Sequence, residues 1–267
     1  MSHLELAKDK VLMGPERKSM VFGFQEKKVT AYHEAGHCIV AKSVPGADPV
    51  HKITIIPRGQ ALGVTILLPD SDRLSISKAY AEGMIKFAMG GKAAEEVVFN
   101  HQTTGAGDDL KKATDIARKI VCSWGMNEKI GPISLSKDSN EVFLGREMGS
   151  SKPYSEKLAE TIDEEIRNIL VSCYDDAKNI LIEKRDILEN MSQALIVKEV
   201  LNSDEINRLM EGEIIVSEDE YKTYEANVKK AAEAKQKKLN EDMKNPTPKE
   251  DSKDEPSQKI GPVLQAT

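Results

Sequence analysis

Residues 25–44 contain no proline, and Tyr32, Ala35, Ile39 and Val40 recur there at mixed spacings of three and four before Pro45-Gly46 ends the run. That spacing predicts a helix. Inside it stands His33-Glu34-Ala35-Gly36-His37, a match to H-E-x-x-H in the helical setting the motif needs. Positions four apart share a helix face with Cβ atoms about 5 to 6 Å apart, so both imidazoles can converge on one cation. Glu34 is angled toward the flank of that site. From there a carboxylate can take the proton of an attacking water and later pass it to a leaving amine. A catalytic zinc takes three protein ligands and keeps a fourth position open. The third ligand is not in this helix. The downstream acids in an organised setting are Glu95, Glu96, Asp108 and Asp109, and chemistry alone does not rank them.

The rest of the chain reads as mainly α with a small β-sheet, an α+β architecture. Residues 53–56 and 64–68 are β-branched runs joined through Pro57-Arg58-Gly59, which predicts two short strands. Helical spacing returns over 74–99 and passes through Gly90-Gly91, where close packing or a bend is expected. A loop over 103–107 leads to a helix over 108–125, with Asp108 and Asp109 at the positive end of its dipole. Short strands are expected at 133–135 and 142–144. One apolar stripe through Leu158, Ile162, Ile166, Ile169, Cys173, Ala177 and Ile180 predicts a single helix over 155–189 that forms a core or faces a partner. Shorter helices follow at 191–200 and 203–211. Residues 1–23 read as a short helix and a leading segment, 24–211 as the functional domain, and 212–267 as a charged tail, a frayed helix followed by disorder.

The totals narrow the function classes. A net charge of −6 over 267 residues provides no basic face for nucleic acid. No run reaches the roughly 18 to 20 apolar residues that span a bilayer, and no signal-peptide core opens the sequence. The chain as given is therefore expected to be soluble and unexported. Cys38, Cys122 and Cys173 are an odd number without paired spacing, so buried thiols in a reducing compartment are expected rather than disulfides. Cys38 adjoins His37, but neighbours on a helix point about 100° apart, so it should face away from the metal. Gly90-Gly91-Lys92 is not a phosphate loop, because the earlier glycine and the following Ser or Thr are missing.

Several blocks resemble the protease domain of the FtsH-type, membrane-anchored AAA metalloproteases. They are residues 8–17, the zinc helix 32–37, and Ala61-Leu62-Gly63 through Leu68-Pro69. Further along come Gly90 to Glu96, Thr103 to Ala106 with Asp109, Ala113-Thr114, Ala117-Arg118 and Trp124-Gly125-Met126. The likeness covers roughly residues 4–210. It implies a helical fold with one Zn2+ per chain, Asp109 as third ligand, and Asp108 as a helix cap or neighbour of that ligand. Glu95 is the runner-up, a candidate partner to a histidine. It also implies a homohexameric ring. Unfolded peptide substrates would pair with an edge strand, which here is Gly63, Val64, Thr65, Ile66 and Leu67. ATP enters only through an ATPase module that the chain as given lacks, and membrane contact only through N-terminal segments likewise missing. The full-length protein is expected in the bacterial inner membrane, this domain facing the cytoplasm, as part of ATP-dependent protein quality control. A competing reading is a zinc-stabilised oligomerisation module with little activity, for which the 158–180 stripe would be the partner face. Glu34 speaks against it, because a structural metal site needs no unligated carboxylate.

Overall fold

The computed structural model describes residues 7–8, 10–11, 14–17, 23–59, 61–69, 73–101, 103–135 and 154–244, with side chains as far as 234. Residues up to Tyr224 form one compact unit and those from Glu225 a second. The first long segment becomes helix α1, Phe24–Ser43, in which every residue from Glu34 to Ala41 is buried. A helix covered on all sides belongs at the centre of a core rather than on a surface. The elements around α1 provide that cover. They are α2 (Lys78–Phe99), α5 (Arg185–Lys198), α4 (Glu156–Glu183) and a three-stranded sheet.

Helix α2 crosses α1 at very short range, and glycine makes this possible. A Cβ on Gly36 would lie 2.4 Å from the Gly90 carbonyl oxygen, and one on Gly90 would lie 2.7 Å from that of Gly36. The expected close packing at Gly90-Gly91 is this crossing, and the helix runs through it unbroken. The N-terminus of α2 falls later than residue 74, because the Ser77 side chain accepts the Tyr80 N–H and caps the helix there. Helix α3 (Gly107–Cys122) packs on α2, and α4 packs on both.

The stripe expected to run unbroken over 155–189 is divided at Lys184, which leaves helical geometry with φ −105° and ψ 34° between α4 and α5. Leu181 and Leu188 are both buried on either side of the break, so apolar spacing carries through it and periodicity could not reveal it. Much of the stripe, including Ile162, Ile166, Cys173 and Ala177, is turned into the chain's own core.

Strand β1 is Val50–Thr54, earlier than the expected 53–56, because the Ile56 N–H turns back to the Thr54 hydroxyl and ends the ladder. Strand β2 is Val64–Leu67. Strand β3, Val200–Asn202, is too short to announce itself by alternation and exists by pairing Ile53 with Leu201. The order is β2-β1-β3, all antiparallel. Residues 133–135 form no strand, since Leu135 N–H bonds the Cys122 carbonyl at the end of α3 instead of a neighbouring strand. The strand expected at 142–144 lies outside the described residues. Asn202 caps α6 (Ser203–Met210) through a reciprocal bond with Glu205, and α7 runs Glu218–Lys244. Among the described residues no helix is long and apolar enough to cross a membrane.

The ladder phase fixes which backbone groups β2 leaves free. Ile55 N–H bonds the Glu199 carbonyl, so Ile53 and Ile55 turn toward β3 while Lys52 and Thr54 turn toward β2. Thr65 stands opposite Ile53. Its own N–H and C=O therefore face the open side of the sheet, as alternate residues of an antiparallel pair must.

Candidate metal centre and active site

Helix α1 projects His33 and His37 one turn apart, and their Nε2 atoms lie 3.0 Å from each other. The first turn of α3 brings Asp109, whose Oδ2 is 3.3 Å from each of those nitrogens. Tetrahedral zinc bonds of roughly 2.0 to 2.1 Å set neighbouring ligand atoms about 3.3 to 3.4 Å apart, so the triangle has the size of a zinc site. Among the described residues His33, His37 and Asp109 form the one such cluster, and Asp108 sits exposed beside it in the same turn.

The donor chemistry also fits a cation. His33 Nδ1 is 2.7 Å from Glu95 Oε1, and His37 Nδ1 is 2.7 Å from the Phe87 carbonyl. Ionised carboxylate and carbonyl oxygens only accept, so each Nδ1 carries the proton and each Nε2 lone pair points inward. The Gly91 N–H also lies 3.3 Å from His37 Nδ1, a longer approach than the carbonyl's. Two lone pairs and a carboxylate aimed at one point require a positive charge between them. Without a metal a proton fills that need. Burial would lower the His33 pKa, but the hydrogen bonds to Asp109 and Glu95 raise it to about 10. Burial would likewise raise the Asp109 carboxyl, yet the bonds from His33 and His37 hold it well below the usual carboxylate range. Glu95 is also lowered, its burial outweighed by His33 and by the Thr103 N–H, which bonds its other oxygen.

Phe87, Gly91 and Glu95 are spaced by four along one face of α2, and that face orients both imidazoles. A Cβ on Gly91 would fall 2.5 Å from His33 Nε2 and 2.6 Å from His37 Nε2, inside the space a cation needs. The Phe87 carbonyl and the Thr103 N–H are backbone groups with no sequence signal. Gly91 had one, its place between Phe87 and Glu95 on the helix repeat.

Glu34 is buried beside the histidines. Its Oε2 accepts a hydrogen bond of 2.7 Å from the Thr65 hydroxyl on β2, and among the described residues no partner is shown for Oε1. Strand β2 thus lies against the carboxylate at Thr65. Cys38 is fully buried, its thiol pushed up by that burial, and it is not in the metal cluster. All three cysteines are free.

A helix-borne pair of histidines with an adjacent glutamate and an acid from a second helix defines a helical metallopeptidase. Residues 20–209 match peptidase family M41, and the chain belongs to that family. It is 52% identical over 212 residues to the ATP-dependent zinc metalloprotease FtsH of Myxococcus xanthus, covering 79% of this chain and 33% of that protein. It is 50% identical over 213 residues to the FtsH of Magnetococcus marinus, covering 80% of this chain and 32% of that protein. The FtsH 1 of Bdellovibrio bacteriovorus is 48% identical over 223 residues, covering 83% and 34%. The chain therefore spans about a third of the length of the curated relatives it matches.

Proposed function

We propose that this chain is a zinc-dependent endopeptidase domain that hydrolyses unfolded polypeptides, with His33, His37 and Asp109 holding one Zn2+ and Glu34 acting as the general base. The observation that carries this reading is the convergence of two Nε2 atoms and one carboxylate oxygen at mutual distances of 3.0 to 3.3 Å. Zinc, when bound, supplies Lewis acidity toward the scissile carbonyl and acidifies water. The protein's own groups do the rest. Glu34 Oε1 takes the proton of the attacking water and returns it to the leaving amine. Glu95 and the Phe87 carbonyl hold the two imidazoles in the tautomer that leaves Nε2 free. The open edge at Thr65 and Leu67 supplies main-chain donors and acceptors to an extended peptide, which suits substrates of many sequences.

The resemblance extends the proposal to the whole protein. It is a homohexameric, membrane-anchored, ATP-dependent protease of protein quality control in the bacterial inner membrane, this domain facing the cytoplasm. The name of the Myxococcus xanthus relative supports the ATP dependence.

Metal content by elemental analysis, paired with cleavage of a disordered protein such as casein with and without chelator, tests the core reading. Glu34→Gln should retain zinc while kcat falls by orders of magnitude, because a base is lost and no ligand is. Undiminished cleavage by that variant would sink the role of Glu34. A wild-type chain that binds zinc and cleaves nothing would favour an oligomerisation module.

A further inference from the structure

We infer that Thr65 is the positioning residue of Glu34, and that the strand offering its backbone to a peptide also sets the carboxylate of the base. The inference rests on the proposed role of Glu34. The Thr65 hydroxyl is 2.7 Å from Glu34 Oε2 and 3.1 Å from the Glu34 carbonyl oxygen, so one side chain spans from β2 to both ends of the same residue. A hydroxyl has a single proton to give. The shorter, charge-assisted contact takes it, and the carboxylate is pinned through Oε2 with Oε1 left for water.

Gly63, the residue before β2, reinforces this arrangement. A Cβ there would meet Glu34 Cγ at 2.7 Å and Oε1 at 2.8 Å, so the chain entering β2 lies against the carboxylate with no room for a side chain. Thr65 thus meets Oε2, and Gly63 lies nearest Cγ and Oε1. Meanwhile the N–H and C=O of Thr65 face the open edge, as the ladder phase requires. One residue therefore reads main chain with its backbone and holds the base with its side chain. A peptide paired at Thr65 is in register with the carboxylate that must serve it.

Two measurements decide the matter. In the metal-free chain, Thr65→Val should lower the unfolding midpoint by roughly 2 to 4 °C, the shift expected for one hydrogen bond in a domain of this size. The same substitution in the Glu34→Ala background should lower it by clearly less. Equal shifts in the two backgrounds overturn the inference whether or not the chain cleaves anything. In the zinc-loaded chain, Thr65→Val should lower kcat about 10- to 100-fold with KM and zinc content unchanged, and Thr65→Ser should recover most of the rate. A loss that appears in KM, or that serine fails to rescue, overturns it as well. If Glu34→Gln cleaves as well as the wild type, the reading of the base fails first, and the unfolding comparison still shows whether Thr65 holds that carboxylate.

Discussion

At the scale of single residues, the centre is a competition between a proton and a cation for one set of lone pairs. The carboxylates that raise the His33 pKa make the metal-free site hold a proton there through neutral pH. Zinc bound there would displace that proton, so its affinity should rise with pH and fall in acid, by about tenfold per unit for each proton released. Chelator competition at pH 6 and pH 8 measures the slope, and a flat profile would contradict the arrangement. Replacing the two acids separately distinguishes their roles. Asp109→Asn should leave the purified chain largely without zinc. Glu95→Gln keeps an oxygen for the His33 N–H and should weaken binding by about 10- to 100-fold. Gly91→Ala is the sharper probe, because alanine favours a helix interior by about 1 kcal/mol. The new methyl would nevertheless stand 2.5 Å from His33 Nε2, so elemental analysis should show zinc lost.

At the scale of elements, the Gly36–Gly90 contact holds α1 and α2 together along the segment that carries His33, His37 and the α2 groups bonded to them. Gly36→Ala forces a methyl to within 2.4 Å of a backbone oxygen, which cannot rotate away. A loss of about 1 to 3 kcal/mol is expected from denaturant unfolding, the usual cost of overpacking a tight core. The sequence made much of this legible. The run around His33 and His37 was readable because helix period, motif and breakers agreed, and the double glycine because its cost in a helix demanded close packing. Asp109 could not be singled out from Glu95, Glu96 and Asp108 by chemistry. What brings it to the histidines is the packing of α3 on α2, a distant contact that leaves no local trace. The break at Lys184 and strand β3 were hidden for opposite reasons, the first because apolar spacing crosses it and the second because three residues carry no period. Thr65 could be placed on the strand, but its tie to Glu34 depends on how the sheet lies against α1.

At the scale of the whole molecule, the apolar stripe of α4 is largely spent on the chain's own core, which weakens the reading of this domain as an assembly module. Val171 and Ile182 remain on α4 at 52% and 54% exposure. If the proposed ring is formed and includes this helix, sedimentation at micromolar concentration should show more than monomer, and substituting both with charged residues should shift it toward monomer. The chain also spans only about a third of its relatives. Tested alone with zinc, it should digest a disordered protein at a rate indifferent to ATP and leave a tightly folded one intact. ATP-stimulated digestion of the folded protein by this chain would contradict that division.

Helix α2 has one more property of interest, because Phe87, Gly91 and Glu95 form a template with a fixed pitch. Successive groups stand four residues apart, about 1.1 turns, so all three share the face that meets the imidazoles. Inserting a single residue between Phe87 and Gly91 would swing the downstream positions about 100° around the axis. Glu95 would turn away from His33 while the Phe87 carbonyl kept its place at His37, so one histidine would hold its anchor and the other lose it. Away from these three positions and the Gly90 crossing, substitutions on α2 can be absorbed by repacking, but its count of residues here cannot change.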